Sequence, residues 1–359
     1  MYSAKDLLSE FDALDSADWL KAIEKYLKGK AFDELLLNLE DGAVIRPFYR
    51  KEDNNFVELP VLNSNNWLIS ESFHYSGGDI NSFNKKLLNA LMNGTESVNL
   101  HLAAGKPEIL SDLLENVYLN MIELNLSGPA FENCPAEWLN ELANLSDGAA
   151  KGYSIVSDST QSLELIQAFN EKLPNFSFYN FQLSIDNKII SSLSKLLREI
   201  SNAFDSMLEK GLNADKAQNQ INVHLTLSED YFLSIASIRA LKRLWLGLLE
   251  AYDVNRPIYL KIHAHSNESV SSADPYWNMI SNTTQSLSAA IAQVYSIEVR
   301  PTDNSEEKEI FSRRIARNVQ HLLKMESHID HIVDPSSGSY YIENYTAEIV
   351  KHAWGGFVG

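Results

Sequence analysis

Residues 258–265 read Ile258-Tyr259-Leu260-Lys261-Ile262-His263-Ala264-His265. Apolar and polar side chains alternate with period two, the pattern of a strand with two unlike faces. The same alternation recurs along the chain. Val223, Leu225 and Leu227 oppose Asn222, His224, Thr226 and Ser228; Ile122, Leu124 and Leu126 oppose Glu123, Asn125 and Ser127; Leu100 and Leu102 oppose Asn99 and His101. Polar alternates also run through Asn180, Gln182, Ser184 and Asp186, and through Ser296, Glu298 and Arg300. With runs at 67–73 and 152–158, this makes eight short strands. Helical periodicity separates them at 80–92, 107–118, 136–145, 162–172, 189–209, 231–252 and 275–293, and an eighth helix follows at about 306–328. Eightfold alternation of strand and helix predicts an α/β fold, the (β/α)8 TIM barrel. The apolar faces then pack on the helix ring and the polar faces line the axis.

That axis is unusual. Barrels of this kind fill it with Val, Ile and Leu. Here His101, Glu123, Gln182, His224, Tyr259, Lys261, Glu298 and Arg300 fall on it. These side chains are bulky, and they predict a plugged axis rather than a ligand channel. Lys261 is expected to pair with Glu123 or Glu298, because an unpaired buried charge costs several kcal/mol.

Residues 1–64 differ from the rest and read as an N-terminal arm, with the barrel over 65–359. Leu7, Leu8, Phe11 and Leu14 mark one short amphipathic helix. Trp19, Ile23, Tyr26 and Leu27 mark a second, with Ser16 as its expected cap. An extended piece, Ala43–Tyr49, follows. The arm has too little apolar surface to be a domain and is expected to pack on the barrel or on a partner.

The chain has 359 residues, 45% of them hydrophobic, enough for a substantial core. A formal charge of -18 argues against nucleic-acid and anionic-membrane partners, which need concentrated basic surface. The one basic knot, Arg313-Arg314-Ile315-Ala316-Arg317, reads as a solvated helix face. A single cysteine, Cys134, excludes an internal disulfide and a Cys-based metal cage. The N-terminus lacks a secretory pattern, and no run of ~18 apolar residues is present to span a membrane. The expected location is cytoplasmic.

His263 and His265 stand on one face near the C-terminal end of the seventh strand, where barrel active sites sit. An H-x-H pair can hold a metal, and Asp186, Glu229 and Asp230 lie at other strand ends. Paired axial histidines and helix-capping acids are the simpler reading, so no metal is expected. His263, His265 and Asp186 remain the substrate-binding candidates.

From Ser228 onward the residues resemble the methylmalonyl-CoA mutase family. The likeness is carried by Asp230–Leu241 with Trp245 in register, Asp274–Met279, Arg314–Asn318, Glu326–Ile329 and Val333–Glu343. Leu27–Lys30 and Ile45–Tyr49 are similar to the arm preceding the family's barrel. The resemblance implies radical isomerisation of methylmalonyl-CoA and succinyl-CoA on adenosylcobalamin, with CoA threading the axis. It also implies a heterodimer in some members, one chain catalytic and the other inactive.

The departures are specific. The family's Asp-x-His-x-x-Gly cobalamin motif does not occur, so adenosylcobalamin is expected in the complex but not on this chain, which is read as lacking the cobalamin domain. The catalytic Tyr-His pair after the fifth strand is replaced by Ile185-Asp186-Asn187-Lys188-Ile189. The Arg that serves CoA at the sixth strand has no counterpart in Asn219-Gln220-Ile221-Asn222, and the CoA-clasping arm shrinks to Tyr49–Asp53. The resemblance therefore implies a small, non-catalytic subunit that supports a catalytic large subunit and meets acyl-CoA only through it. The alternative is an independent barrel enzyme: a mutase with its B12 domain on another chain, or a metal-dependent hydrolase using His263 and His265.

Overall fold

The computed structural model describes residues 15–53, 55–59, 64–267, 274–303 and 308–359. The helix expected around Leu7–Leu14 lies outside the described residues.

Nine parallel strands form one sheet: β1 Leu68–Tyr75, β2 Ser97–Leu102, β3 Glu123–Ser127, β4 Lys151–Tyr153, β5 Asn175–Ser177, β6 Tyr179–Ser184, β7 Ile221–Thr226, β8 Lys261–His265 and β9 Ser296–Glu298. Their order is β5-β4-β3-β2-β1-β9-β8-β7-β6. The two ends of that order are neighbours in the chain, separated only by Phe178. The sheet is thus a nearly closed barrel of the expected type, with its fifth strand broken in two.

The break has a local cause. Phe178 and Tyr179 are both buried in the core, while Ser177 and Asn180 on either side both meet Asn222 on the axis, so the period-two alternation slips by one residue at this corner. The ladder between β4 and β5 ends where Ser154 N donates to Ser177 O at 3.1 Å. Beyond it, the Asn180 side-chain amide donates to Ser154 O at 2.7 Å, where the next backbone N–H would have bonded. Next to it, Gly152 has φ +144°, and a Cβ there would lie 2.0 Å from Leu124 O, so only glycine fits.

The helix ring comprises α2 Ile80–Met92, α3 Pro135–Ser146, α4 Ser159–Phe169, α5 Ile189–Glu209, α6 Tyr231–Ala251, α7 Pro275–Ile291, α8 Glu309–His321 and α9 Tyr340–Val358, with α1 Ser16–Tyr26 in the arm. As expected from the alternation, Leu100, Leu102, Leu124, Leu126, Val223, Leu225 and Ile262 are fully or almost fully buried against it. Two expectations fail. The helix foreseen over 107–118 is only a 3-10 turn at Pro107–Ile109 and one α-turn at Leu110–Leu113; Asn116 turns left-handed at φ +62° and ends the run. Helix α1 is capped by Asp15, not Ser16: the Asp15 carboxylate accepts from Asp18 N, and the Asp18 carboxylate accepts from Asp15 N.

Arm and barrel meet over α9. Ala43, Ile45 and Tyr49 are buried, and the Tyr49 ring lies 6.2 Å from that of Tyr341. Val57 N donates to Glu343 Oε2 at 3.2 Å, and Asn55 donates to Asn344 Oδ1 at 3.0 Å. Glu343 is fully buried, and its other oxygen accepts from Arg239 at 2.9 Å and from Gly338 N at 3.0 Å. Arg239, on α6, also binds Asp334 and donates to Ser336 Oγ at 3.2 Å. Arg239→Met leaves the Glu343 carboxylate buried without its cation. A loss of about 3–5 kcal/mol in urea-unfolding free energy is expected; a change below about 1 kcal/mol would show that the cluster is not what ties α6, α9 and the arm.

Candidate functional site

The axial side chains stack in three levels from the N-terminal to the C-terminal end of the strands. At the lowest, the Glu123 carboxylate accepts from Tyr295 Oη at 2.7 Å and from Ser97 Oγ at 3.4 Å. Burial raises its pKa, and Lys261 opposes that rise. Lys261 does not make the ion pair expected of it: among the described residues no carboxylate lies within 4.0 Å of its Nζ, which sits 5.0 Å over the Tyr295 ring instead. A cation over an aromatic face keeps part of its stabilisation without a carboxylate.

The middle level is aromatic. The rings of His224 and His263 stack at 5.1 Å. Tyr153 packs on both, at 4.7 and 4.6 Å, and His263 meets Tyr295 at 5.3 Å. Side-chain amides knit this level to the walls. Asn99 Oδ1 accepts from Asn125 at 2.8 Å and from Tyr153 Oη at 3.0 Å, while Asn99 Nδ2 donates to Glu298 at 3.0 Å. Asn222 donates to Ser177 Oγ at 2.7 Å, and His224 Nε2 bonds Asn180 Oδ1 at 3.0 Å. His263 Nδ1 bonds Ser296 Oγ at 2.8 Å, leaving its Nε2 without a partner.

The upper level is a cup of about 190 Å³ whose lining includes His74, His101, Gln182, His265, Glu298 and Arg300, and whose floor includes Tyr153 and His224. His74 and His101 rings lie 5.1 Å apart, and burial together with His101 lowers the His74 pKa. His265 Nε2 bonds Thr226 Oγ1 at 3.2 Å.

The residues singled out in the sequence therefore divide. Glu123, His224 and His263 are buried on the axis, with Lys261 half-buried beside them. His101, His265, Glu298 and Arg300 border the cup with the exposed Gln182, which forms wall rather than filling. Tyr259 precedes β8, is 40% exposed and lines a different cavity at the N-terminal end of the barrel. The period-two face does not extend to it, because the strand starts only at Lys261. His263 and His265 share a face but sit at different levels, and Asp186 does not reach the cup. Its carboxylate is exposed and accepts from Lys188 N at 2.7 Å, a local turn. Among the described residues no three His, Cys, Asp or Glu side chains converge as a metal site.

Sequence reading missed Tyr153, Tyr295 and His74. His74 was legible, since Ser70, Ser72 and His74 alternate along β1. Tyr153 was not, because a three-residue strand has no period to read, and Tyr295 precedes its strand.

The buried imidazoles carry a pH signature. Burial, with repulsion from His265, pushes the His224 pKa down to about 3, and burial also lowers that of His263. Unfolded histidine titrates near ~6.5, so below that value the unfolded state binds more protons. Stability is full above pH ~6.5 and falls as pH drops toward 3. Urea midpoints are expected to be lower at pH ~5 than at pH ~7.5, with a smaller gap in His224→Gln; an unchanged gap would assign the loss to other groups.

The sequence profile of the family described as methylmalonyl-CoA mutase matches residues 197–358. The methylmalonyl-CoA mutase small subunit of Porphyromonas gingivalis is 30% identical over 97% of this chain and 63% of its own length. Those of Streptomyces virginiae and Propionibacterium freudenreichii subsp. shermanii are 28% and 26% identical, each over 97% of this chain and over 64% and 62% of theirs. The chain thus spans a little over three fifths of the length of these relatives. Across nearly all of its own length the chain is similar to these small subunits of the methylmalonyl-CoA mutase family, on a nearly closed parallel barrel.

Proposed function

We propose that this chain is the small, non-catalytic subunit of a methylmalonyl-CoA mutase. It pairs with a catalytic large subunit that binds adenosylcobalamin and isomerises methylmalonyl-CoA and succinyl-CoA in the cytoplasm. The observation that carries this reading is the blocked axis. A thioester arm threading the barrel needs a continuous passage, and Tyr153, His224, His263 and Tyr295 occupy that line with ring-to-ring distances of 4.6–5.3 Å. Removing them would cost the amide network that holds them.

The cup above this block does not fit either large ligand of the reaction. Enclosing even drug-sized ligands takes roughly 300–1,000 Å³, and the cup offers about 190 Å³. Both CoA and a corrin exceed that class, so no catalytic step is assigned to these residues. The chain leads from β6 into α5 through Asp186 and Lys188, a turn closed by the Lys188 N–H donating to the Asp186 carboxylate, with no acid–base pair.

The described part of the arm, within residues 1–64, supports the partner role. It is fastened to α9, yet it leaves Tyr26, Val44, Phe48 and Phe56 exposed, the last at 60%. Apolar side chains held outward on a fastened arm suit burial against a second chain. Co-expression with a mutase large subunit is expected to yield a 1:1 complex by mass, and Val44→Asp with Phe56→Asp is expected to weaken it at least tenfold. The isolated chain is expected to show no saturable binding of a CoA thioester at millimolar concentration. Separate elution of the wild-type chains, or tight CoA binding by this chain alone, would overturn the reading.

A further inference from the structure

Between α2 and α8 the helix ring opens into a cleft of about 540 Å³ that the subunit reading does not use. Five cations line it: Lys85 and Lys86 from α2, and Arg313, Arg314 and Arg317 from α8. Two carboxylates stand against them, Glu71 and Glu309. That excess runs against the whole chain, which carries 48 Asp and Glu and only 30 Lys and Arg. Of the three arginines in the basic knot expected to be a solvated helix face, only Arg314 is exposed.

Arg317 is the informative member, at 6% exposure. Its Nε donates to Glu71, its one hydrogen bond among the described residues. Nη1 and Nη2 therefore have no partner, yet neither is sealed from solvent. A guanidinium this deep ordinarily has its donors met by protein. Here the fork stays open on a residue that lines the cleft. Glu71 is already shared, since it also faces Arg313 Nη1 at 3.5 Å and accepts from Thr95 Oγ1 at 2.5 Å. Arg313, by contrast, is occupied: its Nε donates to Glu309 at 3.1 Å and its Nη2 to Ser72 O at 3.0 Å. Lys86 bonds the other oxygen of Glu309 at 3.0 Å. The exposed Lys85 and Arg314 make no ion pair among the described residues. Apolar wall completes the cleft, with Ala90 buried and Ile310 77% exposed.

We propose that this cleft binds an amphipathic carboxylate, its head on the Nη1 and Nη2 fork of Arg317 and its apolar chain against Ala90 and Ile310. A carboxylate matches such a fork with two parallel charge-assisted hydrogen bonds. The volume lies in the range that encloses drug-sized ligands, roughly 300–1,000 Å³. A cationic ligand would meet the excess of like charge, and a small inorganic anion would leave the apolar wall unmatched. The proposal holds whether or not the chain pairs with a mutase large subunit.

The test is calorimetric titration of the full chain with hexanoate, with hexan-1-ol as the uncharged counterpart and acetate as the head without its chain. Hexanoate is expected to bind 1:1 with a Kd of about a millimolar, and the other two at least tenfold more weakly. Arg317→Gln removes the fork and is expected to lose at least tenfold. Because that change also takes a partner from the buried Glu71, Ile310→Glu is the second variant. It alters an exposed side chain, so its Tm is expected within about 2 °C of the wild type, while hexanoate binding again falls at least tenfold. Three results would overturn the proposal: no saturation by hexanoate at tens of millimolar, equal binding of acetate or hexan-1-ol, or unchanged binding in both variants.

Discussion

One guanidinium organises the far side of this barrel. Arg239 projects from α6 and is almost completely buried, yet it meets two carboxylates from one later stretch of chain, Asp334 in the loop before α9 and Glu343 within it. Burying a charge is tolerable when opposite charge and hydrogen bonds compensate it, and here both Nη1 and Nη2 of Arg239 are met by carboxylates. Here the same Glu343 also holds backbone N–H groups of Val57 and Gly338. One ion cluster therefore sets the position of the last helix, the turn before it and the arm that crosses it. The arm's exposed rings stand where they do because this cluster fixes the surface beneath them.

The axis is a different solution to the same problem. Its Asn, Tyr and His side chains pair with one another as neutral groups, and the imidazoles avoid charge by lying far below their usual pKa. Glu123 and Lys261 bring formal charge to the lower end: Glu123 accepts from the Tyr295 hydroxyl, and Lys261 lies over the Tyr295 ring, where its charge acts on Glu123 without a close ion pair. A polar core built this way is directional. Unlike packed Leu and Val, each amide accepts only neighbours in the right place, so the mesh fixes the barrel's register as well as its volume.

Much of this was legible in the chain. Period-two alternation at 258–265, 221–227 and 121–127 identified the strands and both their faces, because one face packs on helices and the other cannot. The height of each side chain along the axis was not legible. Period sets the face but not the level, so Lys261 was paired with acids it does not touch, and Tyr259 was placed on an axis it never enters. The run read at 152–158 forms strand only over Lys151–Tyr153, too short a stretch for its period to place Tyr153 on the axis.

The break at Phe178 makes the barrel mechanically uneven. Most neighbouring strands are joined by runs of backbone hydrogen bonds that must fail together. Where β4 gives out and β6 begins, past the short β4–β5 ladder, the wall is held by the Asn180 side-chain amide and by the chain's own covalent continuity. The cylinder is topologically a ribbon whose two ends meet at a single residue. Compliance concentrates there: thermal distortion of the cross-section is taken up at this line, while the amide-filled interior beside it keeps its shape.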